Sequence, residues 1–229
     1  MESIALNHQQ RLAPESLNTS KRPPSTGYFT ATLEHHHYKV LCTRIRQGFA
    51  KHYDADINQF MPLLVCLVTT KERYCCFGLR SANEPLFIEN YLSRPLSSYL
   101  KQWQIAPQQC VEMGNLVSTH SETTLSHFVI LAKALKQAHK KSLLFCATAH
   151  IRALLSRIGA PFEVVCDAQP ECLSDQGRCW GSYYFNRPQV CRVDIDSVCK
   201  HIDNTPKLQT LANSLSEEVS TLAWQGKML

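Results

Sequence analysis

Between residues 110 and 166 the chain twice repeats one pattern: a short apolar run followed by a longer amphipathic stretch, closed by a third apolar run. Cys110 to Val117 (CVEMGNLV) reads as a strand. Leu125 to Lys141 reads as a helix, with Leu125, Phe128, Val129, Ala132 and Leu135 on one stripe. Its last turn carries His139, Lys140 and Lys141, which suit the negative end of a helix dipole. Ser142 to Ala147 (SLLFCA) has the unbroken apolar character of a strand buried on both faces, Ile151 to Ile158 is a helix that Gly159 can close, and Phe162 to Cys166 is a further strand. Strands separated by helices cannot pair as hairpins. They imply parallel pairing through right-handed crossovers.

The first half follows another rule. Tyr28 to Leu33 reads as a strand and His37 to Tyr53 as a helix, with Val40, Leu41, Ile45 and Phe49 at helical spacing. Residues 61–69 and Tyr74 to Leu79 read as strands joined by the polar turn Lys71-Glu72-Arg73, which is an antiparallel hairpin. Ser93 to Trp103 makes a short helix with Pro95 in its first turn, where a missing N–H costs little. An aromatic cluster at 180–190 precedes a last strand, Val190 to Ile195. The expected class is α/β: a mixed central β-sheet flanked by helices. Residues 1–28, rich in Ser, Pro, Asn and Gln, form a tail; 29–196 form the domain; 197–229 form an extension with one amphipathic helix near 206–224.

Hydrophobic residues make up 44% of the 229 and charged residues 19%, enough for a buried core. The net charge of +5 is spread in short clusters without a basic stripe interleaved with aromatics, which argues against a nucleic-acid partner and leaves room for an anionic one, such as a phosphopantetheine carrier or a lipid surface. The 11 cysteines are odd in number, and several sit inside apolar runs (Cys66, Cys75-Cys76, Cys146), so they read as buried reduced thiols. None of the spacings from Cys166 to Cys199 is a Cys-x-x-Cys knuckle, and the adjacent His35, His36 and His37 are expected to point in three directions, so no metal is read. There is no basic stretch followed by an apolar one at the N-terminus and no run of 18 apolar residues, which leads to the expectation of a cytoplasmic protein, or a secreted one if it acts on cells directly.

Six blocks in order resemble the thermostable hemolysin family: Phe60-Met61-Pro62, Gly78-Leu79-Arg80, PLFIENYLSRP from Pro85 to Pro95, VEMGNL from Val111 to Leu116, FCATAHIRALLSRIG from Phe145 to Gly159, and WGSYY from Trp180 to Tyr184. The family name implies hemolysis. The strand–helix order is similar to that of GNAT acyltransferases and of acyl-homoserine-lactone synthases. That likeness implies an acyl thioester donor, acyl-CoA or acyl carrier protein, an amine acceptor, and no permanently bound cofactor. It also implies that a strand like 110–117 carries an acid beside the thioester, that the next helix N-terminus receives the donor's pyrophosphate, and that a unit like 142–159 closes the donor cleft. Where GNAT enzymes carry a Gly-rich phosphate loop, the stretch STHSETTLSH from Ser118 has no glycine, which points towards a carrier-protein donor or loss of the activity.

Glu112 is the leading candidate for catalysis. Strand alternation turns it opposite to Val111 and Met113 and to the same side as Gly114, whose missing side chain leaves a ligand room, and a carboxylate there accepts a proton from an attacking amine. Tyr184, with neighbouring Tyr183, is the candidate to protonate the leaving thiolate. Asn115, Thr148 and Arg80 are candidates for substrate binding: Asn115 for a carbonyl or amine, and Thr148 because it stands at a strand's carboxyl end before a helix, where open α/β sheets bind ligands and where it also suits an N-cap. Besides an N-acyltransferase whose product causes hemolysis indirectly, two readings remain: a direct cytolysin presenting the 206–224 helix to a membrane surface, and a binding module without catalysis.

Overall fold

The computed structural model describes residues 27–70 and 73–227; the expected tail up to residue 26 and Lys71-Glu72 of the expected turn lie outside the described residues. Seven strands form one sheet. They are β1 (Gly27–Thr32), β2 (Leu63–Thr70), β3 (Arg73–Ser81), β4 (Cys110–Ser118), β5 (Ser142–Ala147), β6 (Glu163–Asp167) and β7 (Gln189–Asp194), in the order β1-β2-β3-β4-β5-β7-β6. The α-helices are α1 (His37–Tyr53), α2 (Leu96–Trp103), α3 (Ser121–Gln137), α4 (Ala149–Arg157), α5 (Ile195–Asn204), α6 (Pro206–Ser214) and α7 (Ser216–Gly226). The sheet is mixed, as expected. β1 to β4 pair antiparallel and β4–β5 pair parallel.

The expected parallel run does not continue to β6. β7 inserts between β5 and β6 and pairs antiparallel with both. Burial explains the order: Val190, Cys191 and Val193 of β7 are covered on both sides, whereas β6 exposes Glu163, Val164 and Asp167 and makes the edge.

One face of the sheet carries α3, with α5, α6 and α7 behind it, and the other carries α1 and the segment from Leu86 to Trp103 that includes α2. On α1 the buried stripe is Tyr38, Leu41, Ile45 and Phe49, and Val40 faces out. α3 starts a turn earlier than its apolar stripe suggests and ends at Gln137. His139 adopts a left-handed φ of 58°, so the basic triplet leaves the helix and Lys141 N–H bonds to the Gln109 carbonyl at 2.7 Å. Gly159, with φ 68°, closes the chain after α4 as expected.

The helix expected near 206–224 becomes two, α6 and α7, broken at Leu215, and α5 precedes them across Thr205-Pro206. Leu208, Val219 and Leu222 are buried in the core formed with α3, so the apolar stripe offered above to a membrane surface is already covered. No helix among the described residues is long and apolar enough to cross a membrane.

One cysteine expectation and one histidine expectation change. Cys66 and Cys76 stand directly opposite in the β2–β3 register, with Cα atoms 4.1 Å apart, and are joined as a disulfide; the other nine are free. The ring nitrogens of His35, His36 and His37 lie within 4.8 Å of one another, because the triplet spans the turn into α1 and its rings cluster instead of diverging.

Candidate functional site

A bulge in β4 opens the site. Gly78 pairs with Gly114 and Cys76 with Val117, so β4 has one more residue than β3 between these pairs. Asn115 absorbs the bulge with a φ of 55°, a region asparagine tolerates better than most residues. Its side chain fixes the preceding loop: Oδ1 accepts the Met61 N–H at 2.9 Å, and Nδ2 donates to the Gln59 carbonyl at 3.1 Å. Beyond the bulge β4 turns away from β5. Their parallel pairing ends at Met113–Phe145, although β4 runs on to Ser118 and β5 to Ala147. The fork leaves a cleft of about 530 Å³.

Glu112 stands one residue before the fork and contributes to the cleft wall. It is 1% exposed. Its two oxygens accept the N–H groups of Phe87 and Ile88, each at 2.9 Å, from a short 3-10 helix at Phe87–Tyr91. Burial pushes the carboxyl up to about 7, against the two N–H groups and nearby Arg80, which favour the anion. The space over Gly114 is not empty, contrary to the expectation: Met61 packs there, and a Cβ on Gly114 would fall 2.5 Å from its methyl carbon.

Arg80 lies opposite Glu112 in the β3–β4 register and also lines the cleft. Its Nη1 donates to the Pro85 carbonyl at 3.2 Å, and its buried Nε has no partner among the described residues. Thr148 lines the cleft as the N-cap residue of α4, yet its hydroxyl makes no capping bond; it is 7% exposed. Tyr183 reaches the cleft and Tyr184 does not. Tyr184 instead shares a 2.6 Å hydroxyl–hydroxyl bond with Tyr91, which does line the cleft. Burial raises both phenols above their ordinary range.

The structure thus gathers Glu112, Arg80, Asn115 and Thr148 around one space and places Tyr184 behind Tyr91. Tyr91 and Cys146 escaped the sequence reading. Tyr91 belongs to the PLFIENYLSRP block, and Cys146 follows Leu144 by two residues on the strand, which puts it on the face that Glu112 occupies. Burial, with Glu112 nearby, holds the Cys146 thiol well above its usual range, so it is a neutral thiol.

Ser118, Thr119, His120 and Ser121 wall the cleft where α3 begins, and the helix has no side-chain cap. The first-turn N–H groups therefore point where an anion is favoured, without the close approach that glycines allow. The Ser118 hydroxyl is held locally, accepting from Thr124 Oγ1 at 2.7 Å.

Solved structures share this architecture. TofI in an apo form matches with a TM-score of 0.52 at 11% identity, over 80% of this chain and 99% of that one. The AHL synthase LasI matches with a TM-score of 0.52 at 13% identity, over 78% and 95%. BjaI, a CoA-dependent acyl-homoserine lactone synthase solved with SAM and isopentyl-CoA, matches with a TM-score of 0.50 at 8% identity, over 86% and 98%. At these identities the likeness establishes the fold, which is acyl-CoA N-acyltransferase-like. No curated protein matches the chain in sequence. The family model described as thermostable hemolysin matches residues 31–199. That match covers most of the domain, including both strands of the fork and the Tyr91–Tyr184 pair, and the chain belongs to the thermostable hemolysin family.

Proposed function

We propose that this protein transfers an acyl group from a thioester donor, acyl-CoA or an acyl carrier protein, to an amine acceptor held in the fork between β4 and β5. The observation that carries this reading is the fork itself, with a buried carboxylate one residue before it. Beyond Met113–Phe145 the two strands no longer pair with each other, and parted strand edges suit the extended, amide-bearing arm of such a donor, which can pair with a strand edge as another strand would.

In the reaction the acceptor nitrogen attacks the thioester carbonyl, a new C–N bond forms, and the C–S bond breaks. Glu112 takes the proton lost by nitrogen, directly or through water. A group whose proton comes off near pH 7 is matched to that task. Tyr91 gives a proton to the departing thiolate and regains one from Tyr184 through the short bond between them, and solvent restores the Tyr184 proton as Glu112 releases the one it took. Burial keeps both phenols protonated at neutral pH, as a donor pair requires. Arg80 and Thr148 hold donor or acceptor atoms, and holding the two reactants in place supplies much of the acceleration. Hemolysis is then the work of an amphiphilic acylated product. The helical stripe that a direct cytolysin would need is used in the core.

Thiol release from a panel of acyl-CoA and acyl carrier protein donors, with amines supplied, tests the proposal. Wild type is expected to release thiol, Glu112→Ala to be slower by about 10²–10⁴-fold, and Tyr91→Phe to be slower as well. No thiol released from any donor of either kind overturns it.

A further inference from the structure

The corner between β1 and α1 carries a cluster that lies apart from the cleft. His35, His36 and His37 each offer a ring nitrogen, and the three nitrogens lie within 4.8 Å of one another. Among the described residues, no other three His, Cys, Asp or Glu side chains come close enough to share an ion. The backbone beneath them is fixed by two successive turns. His35 N–H donates to the Thr32 carbonyl at 2.9 Å, and Tyr38 N–H donates to the His35 carbonyl at 2.9 Å. Tyr38 is buried next to the triplet, and its hydroxyl donates to the Met61 carbonyl at 2.7 Å, which pins the start of α1 to the body of the protein. The imidazoles themselves stand at the surface, His35 and His36 exposed and His37 half-buried. The ring centres of His36 and His37 are 3.7 Å apart, and those of His35 and His36 4.6 Å.

Imidazole suits zinc, nickel and copper(II), whereas magnesium and calcium take oxygen ligands. A tetrahedral ion with bonds of about 2.0–2.1 Å holds its nitrogens about 3.4 Å apart, so the widest pair here has to close by at most about 1.4 Å. Rotation of surface side chains about their χ angles supplies that without moving the backbone. The His37 N–H meets His35 Nδ1 at only 3.3 Å, a weak contact that is given up readily when that nitrogen turns to an ion.

We infer that His35, His36 and His37 together bind one divalent transition-metal ion of the zinc, nickel or copper(II) class, with water completing its shell. His52, which walls the cleft, stands at the far end of α1, about 22 Å from His37 at 1.5 Å per residue. The ion is therefore a clamp on the β1–α1 corner and takes no part in acyl transfer, and the inference stands independently of that reading.

The full chain without an affinity tag, its thiols kept reduced, is titrated with zinc and with nickel chloride in a calorimeter. It is compared with His36→Gln and with the triple variant His35→Gln/His36→Gln/His37→Gln, each checked for a cooperative thermal melt. Wild type is expected to bind one more equivalent of metal than the triple variant, with a Kd of about 10 µM or tighter, and His36→Gln to bind that equivalent about tenfold more weakly or worse. Modification by diethyl pyrocarbonate, mapped by mass spectrometry on wild type, locates the ion without any variant. Zinc or nickel is expected to protect the peptide that holds the triplet and to leave exposed His150 reactive. Equal stoichiometry and affinity in wild type and triple variant, which places the metal on thiols, overturns the inference. So does binding that saturates only near about 1 mM, which is an adventitious ion only, or a triplet left unprotected.

Discussion

Replacing Glu112 by glutamine changes the way stability depends on pH, and the size of the change follows from the site. The carboxyl titrates at about 7 in the folded protein, against an ordinary 4.5, because it is buried. A raised carboxyl holds its proton in the folded state where the unfolded chain has already released it, so stability falls as pH rises from about 4.5 to about 7 and levels off above. At 1.36 kcal/mol per unit, the loss between pH 5 and pH 8 is about 2 to 3 kcal/mol.

Glutamine does not titrate. It has one oxygen to accept from Phe87 or Ile88, and its amide group faces the other N–H, which costs about 1 to 3 kcal/mol at every pH. Glu112→Gln is therefore expected to be less stable than wild type at pH 5, and to regain about 2 to 3 kcal/mol relative to wild type by pH 8. Urea unfolding followed by tryptophan fluorescence at the two pH values reads the difference directly. Groups common to both proteins cancel. A stability gap that stays the same at pH 5 and pH 8 within about 0.5 kcal/mol would refute the buried-carboxylate account.

His127 should behave in the opposite sense. It is fully buried on α3, its ring lies 3.9 Å from that of Phe77, and burial pushes it down to about 3, against a backbone contact with Cys75 that favours the charged ring. Its stabilising contribution is complete above pH 6.5 and is lost as pH falls towards 3, so His127→Phe should gain about 3 kcal/mol on wild type between pH 7 and pH 4 in paired urea titrations; parallel curves would contradict this. Gly181 has a φ of 52°, and a Cβ there would sit 2.1 Å from the Tyr53 carbonyl oxygen, so Gly181→Ala should cost about 2 to 4 kcal/mol and loosen the 180–184 cluster; a melting temperature within a degree of wild type would show the turn to be more forgiving. If Glu112 is the base, kcat/KM for thiol release should rise with pH through an apparent pKa near 7, and a flat profile from pH 6 to 8 would assign the proton to another group.

What the sequence made legible was local. β5 was readable because SLLFCA is apolar on both faces, and α1 because Leu41, Ile45 and Phe49 recur at helical spacing. The start of α3 is hidden because Ser121, Thr123 and Thr124 are poor helix formers without apolar periodicity; they form its first turn, with Ser121 and Thr124 on the cleft wall. The insertion of β7 between β5 and β6, and the Cys66–Cys76 pair, depend on register and long-range pairing, on which periodicity is silent.

The site divides in the same way. Strand alternation was enough to turn Glu112 away from the α3 side. The N–H groups that hold it come from residues 24 and 25 positions earlier, and Tyr91 meets Tyr184 across 93 positions. Nothing in the local sequence signals such contacts. Gly114 was read as open space, but the space belongs to Met61, a neighbour set by the tertiary fold.

The most direct measurement of the central claim is a crystal structure with a non-reactive thioether analogue of an acyl-CoA. The account predicts the thioether sulfur in the gap between Gly114 and Cys146, close to Glu112 and the Tyr91 hydroxyl, with the pyrophosphate at the Ser121 end of α3. An analogue bound elsewhere on the surface, or β4 and β5 found paired along their whole length, would contradict it.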